Sequence, residues 1–567
     1  MTNVPPDFFQ LQHRIKLTLS GTIRAAEKII RTLGCVFPVE LQCSNDARSN
    51  IKSRIEIDPN SDILRNPSLP VSLEIDEGEI VSVTASGNKW IEFGDHQSLD
   101  VTLRGRRLLH APIAKLRAVR LEDGDKVLAR CANIPVWILR TVQGRAIEII
   151  SLTMPQLAPN ESLVDYFHGG NFIQLLPLVH FLKRIAFAIG WNYPKPRACL
   201  MFDDPNLHWP TYGFVSFAEI VRRADRSGYH VSFATVPLDG WYTHAPTARL
   251  FREHPRCVSL LMHGNDHLRA ELGRSRSSGE HQQLLAQALK RVHRLETKGD
   301  VHIARVMAPP HGACSCASMS HMLALGIEGA FISAWSLRDW NESSSWRCEL
   351  GFLPAEMLEG GFPVAPRSRI STSCEATVVL AALMGRPIVL VGHHQDLKNG
   401  VDFLDAVALV VNSLPDVQWT GPEAILRSNY SHKIDNGVLR IRPFAARLGM
   451  FVPESVDRLI LEECTGSSGT EPHFHVSSRG NVERPVVASL GQAIAVRPGR
   501  YLEIQALTLG SVNYRTISNP RPNVRAAMRR VLCETRDRLA PAALRLSKVF
   551  SIADVHHRNG YDRGGTV

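Results

Sequence analysis

The chain has 567 residues, of which 44% are hydrophobic and 21% are charged, a composition typical of a globular protein with about three domains. The formal net charge of +10 comes from 65 basic and 55 acidic residues scattered along the chain. No segment combines clustered basic residues with interleaved aromatic residues, so the sequence gives no support for nucleic-acid binding. The 11 cysteines include no CxxC pair, which indicates reduced thiols in a cytoplasmic protein.

The N-terminus lacks the apolar core of a signal peptide. The most apolar long stretch, residues 172–191, contains His180, Lys183 and Arg184, and it is therefore predicted to be a buried helix rather than a membrane span. We expect a cytoplasmic location and no integral membrane segment. The sequence does not indicate an oligomeric state.

Residues 1–195 are predicted to form an accessory domain that is α/β or β-rich. Residues 11–34 have the amphipathic pattern of a helix closed by Gly34. Short runs rich in β-branched residues between positions 36 and 160 predict strands. We find no constellation of catalytic residues in this region.

Residues 196–430 alternate apolar strand-like segments with helical segments. Such alternation predicts a parallel sheet or a barrel with helices on the outside, and in these folds chemistry gathers at the carboxyl ends of the strands. Residues 431–520 return to short strands, which predicts a β-sandwich-like domain. Residues 521–567 are predicted to be a basic helical tail with a break near Pro541.

Acidic and imidazole side chains follow four of the predicted strands in the central region. Parallel strands end at the same edge of a sheet, so we expect these side chains to converge. Two neutral imidazoles and one carboxylate make a zinc-type site with an open position for water, and His-x-x-x-His supplies both imidazoles if it opens a helix. The residues at the four strand ends are Asp203 and Asp204, then His263 and His267, then His311, and finally His393, His394 and Asp396.

In this order the segments resemble the motifs of the polysaccharide deacetylases, carbohydrate esterase family four. The first family motif, Thr-Phe-Asp-Asp-Gly, corresponds to Met201–Pro205, and the second, His-Ser/Thr-x-x-His, to His263–His267. The third, Arg-x-Pro-Phe/Tyr, is nearest to Ala308–His311, and the last, an apolar strand with a terminal histidine, to Ile388–His393. The resemblance covers about residues 196–430 and implies a distorted (β/α) barrel.

The resemblance also implies a function: metal-dependent removal of an acyl group, N-acetyl above all, from an amino sugar or glycan. It implies one divalent metal, which we expect to be zinc, and a carbohydrate substrate. Asp203 would be the general base, and His393 or His394 the general acid. The implied metal ligands are Asp204, His263 and His267. The expected substrate-binding residues are Pro310, His311 and Trp209.

Three positions depart from the family pattern. Ala308 replaces the third-motif arginine, Gly264 replaces the serine or threonine of the second motif, and Pro205 replaces the glycine of the first. These departures concern the substrate more than the metal, because the ligand residues themselves are intact. They fit a remote and atypical branch of the family.

Two other functions remain open from the sequence. A glycoside hydrolase on a related barrel would use two carboxylates, with Asp203 paired to Asp266 or Asp396. A non-catalytic glycan-binding protein would need no turnover, and the missing third-motif arginine is consistent with it.

Overall fold

The computed structural model shows a mixed α/β protein that contains several sheets. The hydrophobic core of the N-terminal region continues into the central region, whereas the strands after residue 430 surround a second core of their own. The described residues are 15–20, 27–37, 39–43, 54–58, 61–66, 69–76, 80–82, 90–113, 115–158, 161–344, 346–463, 473–478, 485–507 and 511–559.

The N-terminal region is built on a nine-stranded, mostly antiparallel sheet, with Ile80–Ser82 and Lys115–Arg117 paired beside it. Two helices, Glu27–Val36 and Leu176–Ala188, belong to this part of the chain. In hydrogen-bonding order the nine strands are Val39–Cys43, Ile15–Ser20, Arg54–Ile57, Ser72–Ile75, Arg145–Ile150, Ile134–Val142, Lys126–Cys131, Trp90–Phe93 and Arg107–Leu109.

The helix predicted over residues 11–34 is wrong in its first part. Ile15–Ser20 is a strand in which Leu17 and Leu19 are buried and Thr18 between them is partly exposed, and the described helix is Glu27–Val36. Apolar residues alternate with polar ones in this segment, and that pattern fits the two-residue period of a strand. The burial of these apolar side chains in the folded protein has the same period. Residues 11–14 and 21–26 of the predicted helix lie outside the described residues.

The central sheet carries the candidate site, and all of its strands pair in parallel except Glu356–Met357. The strand Arg197–Asp203 lies inside the sheet, and all seven of its residues are buried, as expected for a strand covered on both faces. Gln418–Trp419 pairs with the start of this strand. The order along the sheet is Glu356–Met357, Pro363–Ala365, Gly329–Phe331, Ile303–Met307, Val258–Met262, Val231–Thr235, Arg197–Asp203, Ile388–Gly392 and Ser368–Arg369.

Helices alternate with these strands along the chain, as the sequence predicts. Phe217–Ser227 ends at Gly228, whose φ of +65° is the left-handed conformation that glycine adopts without strain. Ser277 and Glu280 form a capping box at the start of Ser278–Gly299, the longest helix that connects strands of this sheet. The remaining helices are Ala245–Glu253, Ser278–Gly299, Cys316–Ala324, Ala334–Asp339, Glu375–Leu383, Asp402–Asn412 and Pro422–Arg427.

After residue 430 the chain forms two four-stranded sheets around the second core. Thr211–Tyr212 and Val215–Ser216 form a separate two-stranded hairpin that follows the strand Arg197–Asp203 in the chain. The strands of the first sheet are Tyr430–Asp435, Val438–Pro443, Arg458–Leu461 and Ala493–Ala495. Those of the second are Arg447–Phe451, Tyr501–Ala506, Phe474–Ser478 and Val486–Ala488.

One helix, Val524–Asn559, follows these sheets, and we refer to it as the long helix. It continues through Pro541, so the break expected there is absent from the described helix. Its first half packs against the central region, with Arg530 and Asp537 buried. None of the helices among the described residues is long and apolar enough to cross a membrane.

Candidate metal centre

Asp204, His263 and His267 lie together at the carboxyl edge of the central sheet. Their ligand-type atoms are within 4.8 Å of one another. Asp204 Oδ1 is 3.0 Å from His267 Nε2 and 3.7 Å from His263 Nε2, so both imidazoles face the same carboxylate oxygen. The structure thus brings together the three residues expected to be metal ligands.

The tautomer of His263 leaves one ring nitrogen free for a metal. Its Nδ1 lies 2.7 Å from the carbonyl oxygen of Ala308, an acceptor, so Nδ1 carries the proton and Nε2 keeps its lone pair. Burial lowers the pKa of His263 to about 4, which keeps the imidazole neutral at physiological pH. Ala308, which occupies the place of the family arginine, therefore orients an expected ligand through its main chain.

The residues present fit a divalent metal. Asp204 Oδ1 is buried and has no partner in hydrogen-bonding geometry, although two imidazole nitrogens point toward it. Burial raises the pKa of the Asp204 carboxyl, but the adjacent His267 donor and the Arg530 guanidinium lower it below the usual value, so the carboxylate is ionised. One carboxylate and two neutral imidazoles are donors that suit zinc, with positions left for water or substrate.

The segment His263–His267 is a loop, and the helix considered for this motif is absent. The Glu271 carboxylate, which is buried, organises the loop by accepting main-chain N–H bonds from Asn265, Asp266 and His267 at 2.7–3.2 Å. Sequence reasoning missed Glu271, because an isolated glutamate after the motif does not differ from one on a solvated surface.

Gly264 occupies the position of the family serine or threonine for a steric reason. Its φ is +66°, in the left-handed region that glycine adopts at no steric cost. A Cβ atom built there would lie 1.9 Å from Glu271 Oε1 and 2.7 Å from Pro310 Cγ. The close approach of Glu271 therefore requires a glycine.

Asp203, the predicted general base, is buried against an arginine. Arg367 Nη1 donates to Asp203 Oδ2 at 3.0 Å, and Arg367 Nη2 donates to the carbonyl of Pro309 at 3.2 Å. Arg367 follows the strand Pro363–Ala365, so it reaches the site from a neighbouring strand end. Arg367 lies outside the third motif, so that motif gives no means of finding it.

The three expected substrate-binding residues differ in their placement. Pro310 is buried and touches the loop of the second motif at Gly264. His311 is exposed, and its ring centroid is 5.3 Å from that of His267. Trp209 is 58% exposed, with the guanidinium of Arg538 at 5.7 Å from its ring centroid.

His393 and His394 have different surroundings, although they are adjacent in the sequence. The His393 side chain is exposed at the end of the strand Ile388–Gly392. His394 is enclosed by Tyr212 and Phe214, with Nε2 at 3.4 Å from Asp537 Oδ1. Of the two, only His393 is open to a substrate in this conformation.

The two carboxylates considered as partners of Asp203 in a glycoside hydrolase have structural contacts of their own. Asp266 is an ion-pair partner of Arg291, with 2.5 Å between Oδ1 and Nη1. Asp396 Oδ2 accepts the main-chain N–H of His393 at 2.8 Å and so caps the turn that carries both histidines. Each carboxylate therefore stabilises the local structure next to the site.

The long helix also reaches the site, which sequence reasoning did not predict. Arg529 donates to the main-chain carbonyl of His267 at 2.8 Å, and Arg530 donates to that of Asp204 at 2.7 Å. The two contacts have sequence separations of 262 and 326 residues, so no local sequence pattern could predict them. Further contacts of the helix with the central region are made by Glu534 to His208, Asp537 to Tyr212, and Arg538 to Asn206 and Thr211.

The fold and the site together define a mixed α/β protein with a candidate divalent-metal centre at the carboxyl edge of a largely parallel sheet. No protein-family model matches the sequence, and no curated protein matches it significantly. The comparison with solved structures does find similar chains.

The carbohydrate deacetylase Agd3 matches 87% of this chain and 100% of its own, at 10% identity and a TM-score of 0.44. A family 4 carbohydrate esterase from Streptomyces lividans matches 40% of this chain and 92% of its own, at 13% identity and a TM-score of 0.24. The peptidoglycan deacetylase PdaC from Bacillus subtilis matches 41% and 91%, at 15% identity and a TM-score of 0.25.

The chain is remotely similar to solved carbohydrate deacetylases, a family 4 carbohydrate esterase among them. Because each of these TM-scores is below 0.5, the chemistry of this chain has to be inferred from its own side chains.

Proposed function

We propose that this protein is a metal-dependent hydrolase that removes an acyl group, N-acetyl above all, from an amino sugar in a glycan. The observation that carries the proposal is the group of Asp204, His263 and His267, with the buried Asp203 next to it. A barrel of the polysaccharide-deacetylase type is the fold we propose for the central region. The alternating strands and helices and the parallel pairing support it.

Asp204, His263 and His267 would hold the metal, which we expect to be zinc. When bound, such a metal supplies Lewis acidity toward the acyl oxygen and lowers the pKa of water. Asp203 accepts the proton that the attacking water loses, at one of its carboxylate oxygens. Arg367 fixes the orientation of that carboxylate through a charge-assisted hydrogen bond.

The leaving nitrogen needs a proton, and we assign its donor to His393. The side chain is exposed at the strand end, whereas His394 is enclosed and lies against Asp537. Asp396 holds the main chain of His393, so the position of the imidazole is defined from within its own turn. His311 and Trp209 are exposed and would contact the sugar, with Pro310 shaping the loop beneath.

The substitution Asp203→Asn tests the proposed general base. Asparagine has nearly the shape of aspartate but cannot accept a proton at neutral pH, so we expect turnover to fall by roughly 10²–10⁴ while metal content stays at the wild-type value. The assay measures acid released from a panel of N-acylated amino sugars and oligosaccharides, with elemental analysis of the same samples.

Asp225→Asn is the matched control, because Asp225 is exposed on the helix Phe217–Ser227. Turnover by Asp203→Asn equal to that of the control would remove Asp203 from the mechanism. The same assay on His393→Ala tests the proton donor, and turnover close to wild type there would remove His393 from that role. Glycan binding by metal-loaded wild type without any release of acid would favour a binding protein instead.

A further inference from the structure

Arg530 on the long helix is a buried cation between two acidic residues of the central region. It is 6% exposed. Its Nε donates to the Asp239 carboxylate at 2.9 Å, and its Nη2 lies 2.8 Å from Asp239 Oδ2. The same Nη2 donates to the main-chain carbonyl of Asp204 at 2.7 Å. One guanidinium therefore ties the helix to the turn that carries an expected metal ligand.

The backbone of Asp204 needs such a restraint. Its φ is +85°, a left-handed conformation that non-glycine residues adopt only at an energetic cost. The Asp204 N–H donates to the carbonyl of Ala234 at 3.1 Å, and its own carbonyl accepts from Arg530. Both peptide groups are thus fixed, and this conformation directs the carboxylate to His263 and His267.

The charge of Arg530 is balanced where it stands. A cation 3.7 Å from Asp204 Oδ1 would by itself oppose a dication at the same carboxylate. The Asp239 side chain, 4% exposed, forms a two-point ion pair with the guanidinium and offsets that charge. Because Asp239 offsets the charge of Arg530, the main effect of Arg530 on the metal centre is to position the main chain of Asp204.

We propose that Arg530 is a positioning residue of the metal centre and that the long helix completes this centre from outside the central region. The inference rests on the proposed function, since it concerns the same three ligands. It adds that metal affinity depends on a residue 326 positions away from Asp204 that is not one of the expected ligands.

The test is metal affinity, measured on full-length protein. Apoprotein of wild type and Arg530→Gln is titrated with Zn²⁺ in competition with a chromogenic chelator. We expect Arg530→Gln to bind Zn²⁺ about 10- to 100-fold more weakly, the usual effect of losing an outer partner of a ligand. Arg530→Lys keeps the charge but cannot span the carbonyl and the carboxylate together, so we expect an intermediate affinity.

Two control variants lie on the same helix. Glu534→Gln removes the ion pair with His208, which anchors the helix without touching Asp204, and Arg525→Gln changes an exposed arginine. Both are expected to bind Zn²⁺ as the wild type does. Thermal unfolding of the apoproteins reports how much each variant weakens the helix anchor apart from metal binding.

The outcomes separate the inference from the proposed function. Wild type that binds no Zn²⁺ overturns the metal-dependent function itself. Wild type that binds Zn²⁺, with Arg530→Gln binding equally well, overturns only the inference. An equal loss of affinity in Glu534→Gln and Arg530→Gln also overturns it, because any helix anchor would then serve. If Arg530→Gln does not fold, Arg530→Lys decides, and wild-type affinity in that variant contradicts the inference.

Discussion

Asp203 and Asp204 are neighbours in the chain, yet they meet different partners. Two adjacent carboxylates at the end of a buried strand repel each other unless each one is compensated. Asp203 is paired with Arg367, while Asp204 faces two imidazoles and binds Arg530 through its main chain. The separate compensation suits the roles proposed for them, one carboxylate as the base and the other as a metal ligand.

At this scale Arg367 gives a direct prediction. Arg367→Gln removes the cation that orients the Asp203 carboxylate, and misplacement of a reacting group by about 1 Å costs roughly 10²-fold in rate. We therefore expect turnover to fall by about that factor while Zn²⁺ content is retained, as measured by acid release and elemental analysis. Arg369→Gln, an exposed neighbour, should match the wild type. Loss of Zn²⁺ from Arg367→Gln would mean that Arg367 holds the metal centre together instead.

The loop between the strand Val258–Met262 and the helix Ser278–Gly299 is the element on which the site depends most. It carries both imidazoles and is held from within by Glu271. His267 and Ala270 each have a φ of +54° and Gly264 has one of +66°, so three positions of this loop adopt the left-handed conformation. Hydrogen bonds within the loop therefore fix its conformation. We expect a substitution of Gly264 to displace the imidazoles of both His263 and His267.

Gly264→Ser restores the family residue, and we expect it to damage the site. The serine Cβ would displace Glu271 and would add about 1–2 kcal/mol for the left-handed backbone. A lower melting temperature and weaker Zn²⁺ binding should follow, measured by thermal unfolding with and without metal. Gly279→Ala is the matched control, since nothing lies within 4 Å of a Cβ there. A variant with unchanged Zn²⁺ affinity would contradict this account of the loop.

At the scale of the whole molecule, we expect stability to depend on a buried carboxyl of the N-terminal sheet. Glu148 in the N-terminal sheet is 0% exposed and accepts hydrogen bonds from Trp137 and Arg184. Burial raises the pKa of Glu148 to about 7, against the lowering effect of Arg184. Because the folded state holds this proton more tightly than the unfolded chain, stability is expected to fall as the pH rises from 4.5 to 7.

Glu148→Gln should remove this part of the pH dependence. The neutral amide has the same shape, so the wild type is expected to lose about 3 kcal/mol relative to the variant between pH 4.5 and 8, at 1.36 kcal/mol per pKa unit. Thermal unfolding of both proteins across this range measures the difference. Parallel curves for the two proteins would contradict a raised pKa for Glu148.

Several features of the site could be anticipated because they belong to single strands. The apolar run before Asp203 and the position of His263 after a strand place both residues at the same edge of the sheet. Arg367 and Arg530 could not be anticipated, because their contacts join positions 164 and 326 residues apart and depend on the tertiary fold. Residues 15–20 show a second limit of prediction from sequence, this time in secondary structure. A short amphipathic segment is compatible with a strand or a helix until the elements packed against it are known.

The position of the long helix has a consequence for dividing this protein into fragments. A fragment of residues 196–430 would contain every motif residue of the candidate site, yet Asp239 would lack its arginine and the Asp204 carbonyl its donor. Tyr212 and His208 would likewise lose Asp537 and Glu534, and the surface beneath the helix would face water. A fragment that keeps the candidate site intact therefore has to be larger than the region that contains the motifs. It has to include residues 521–545.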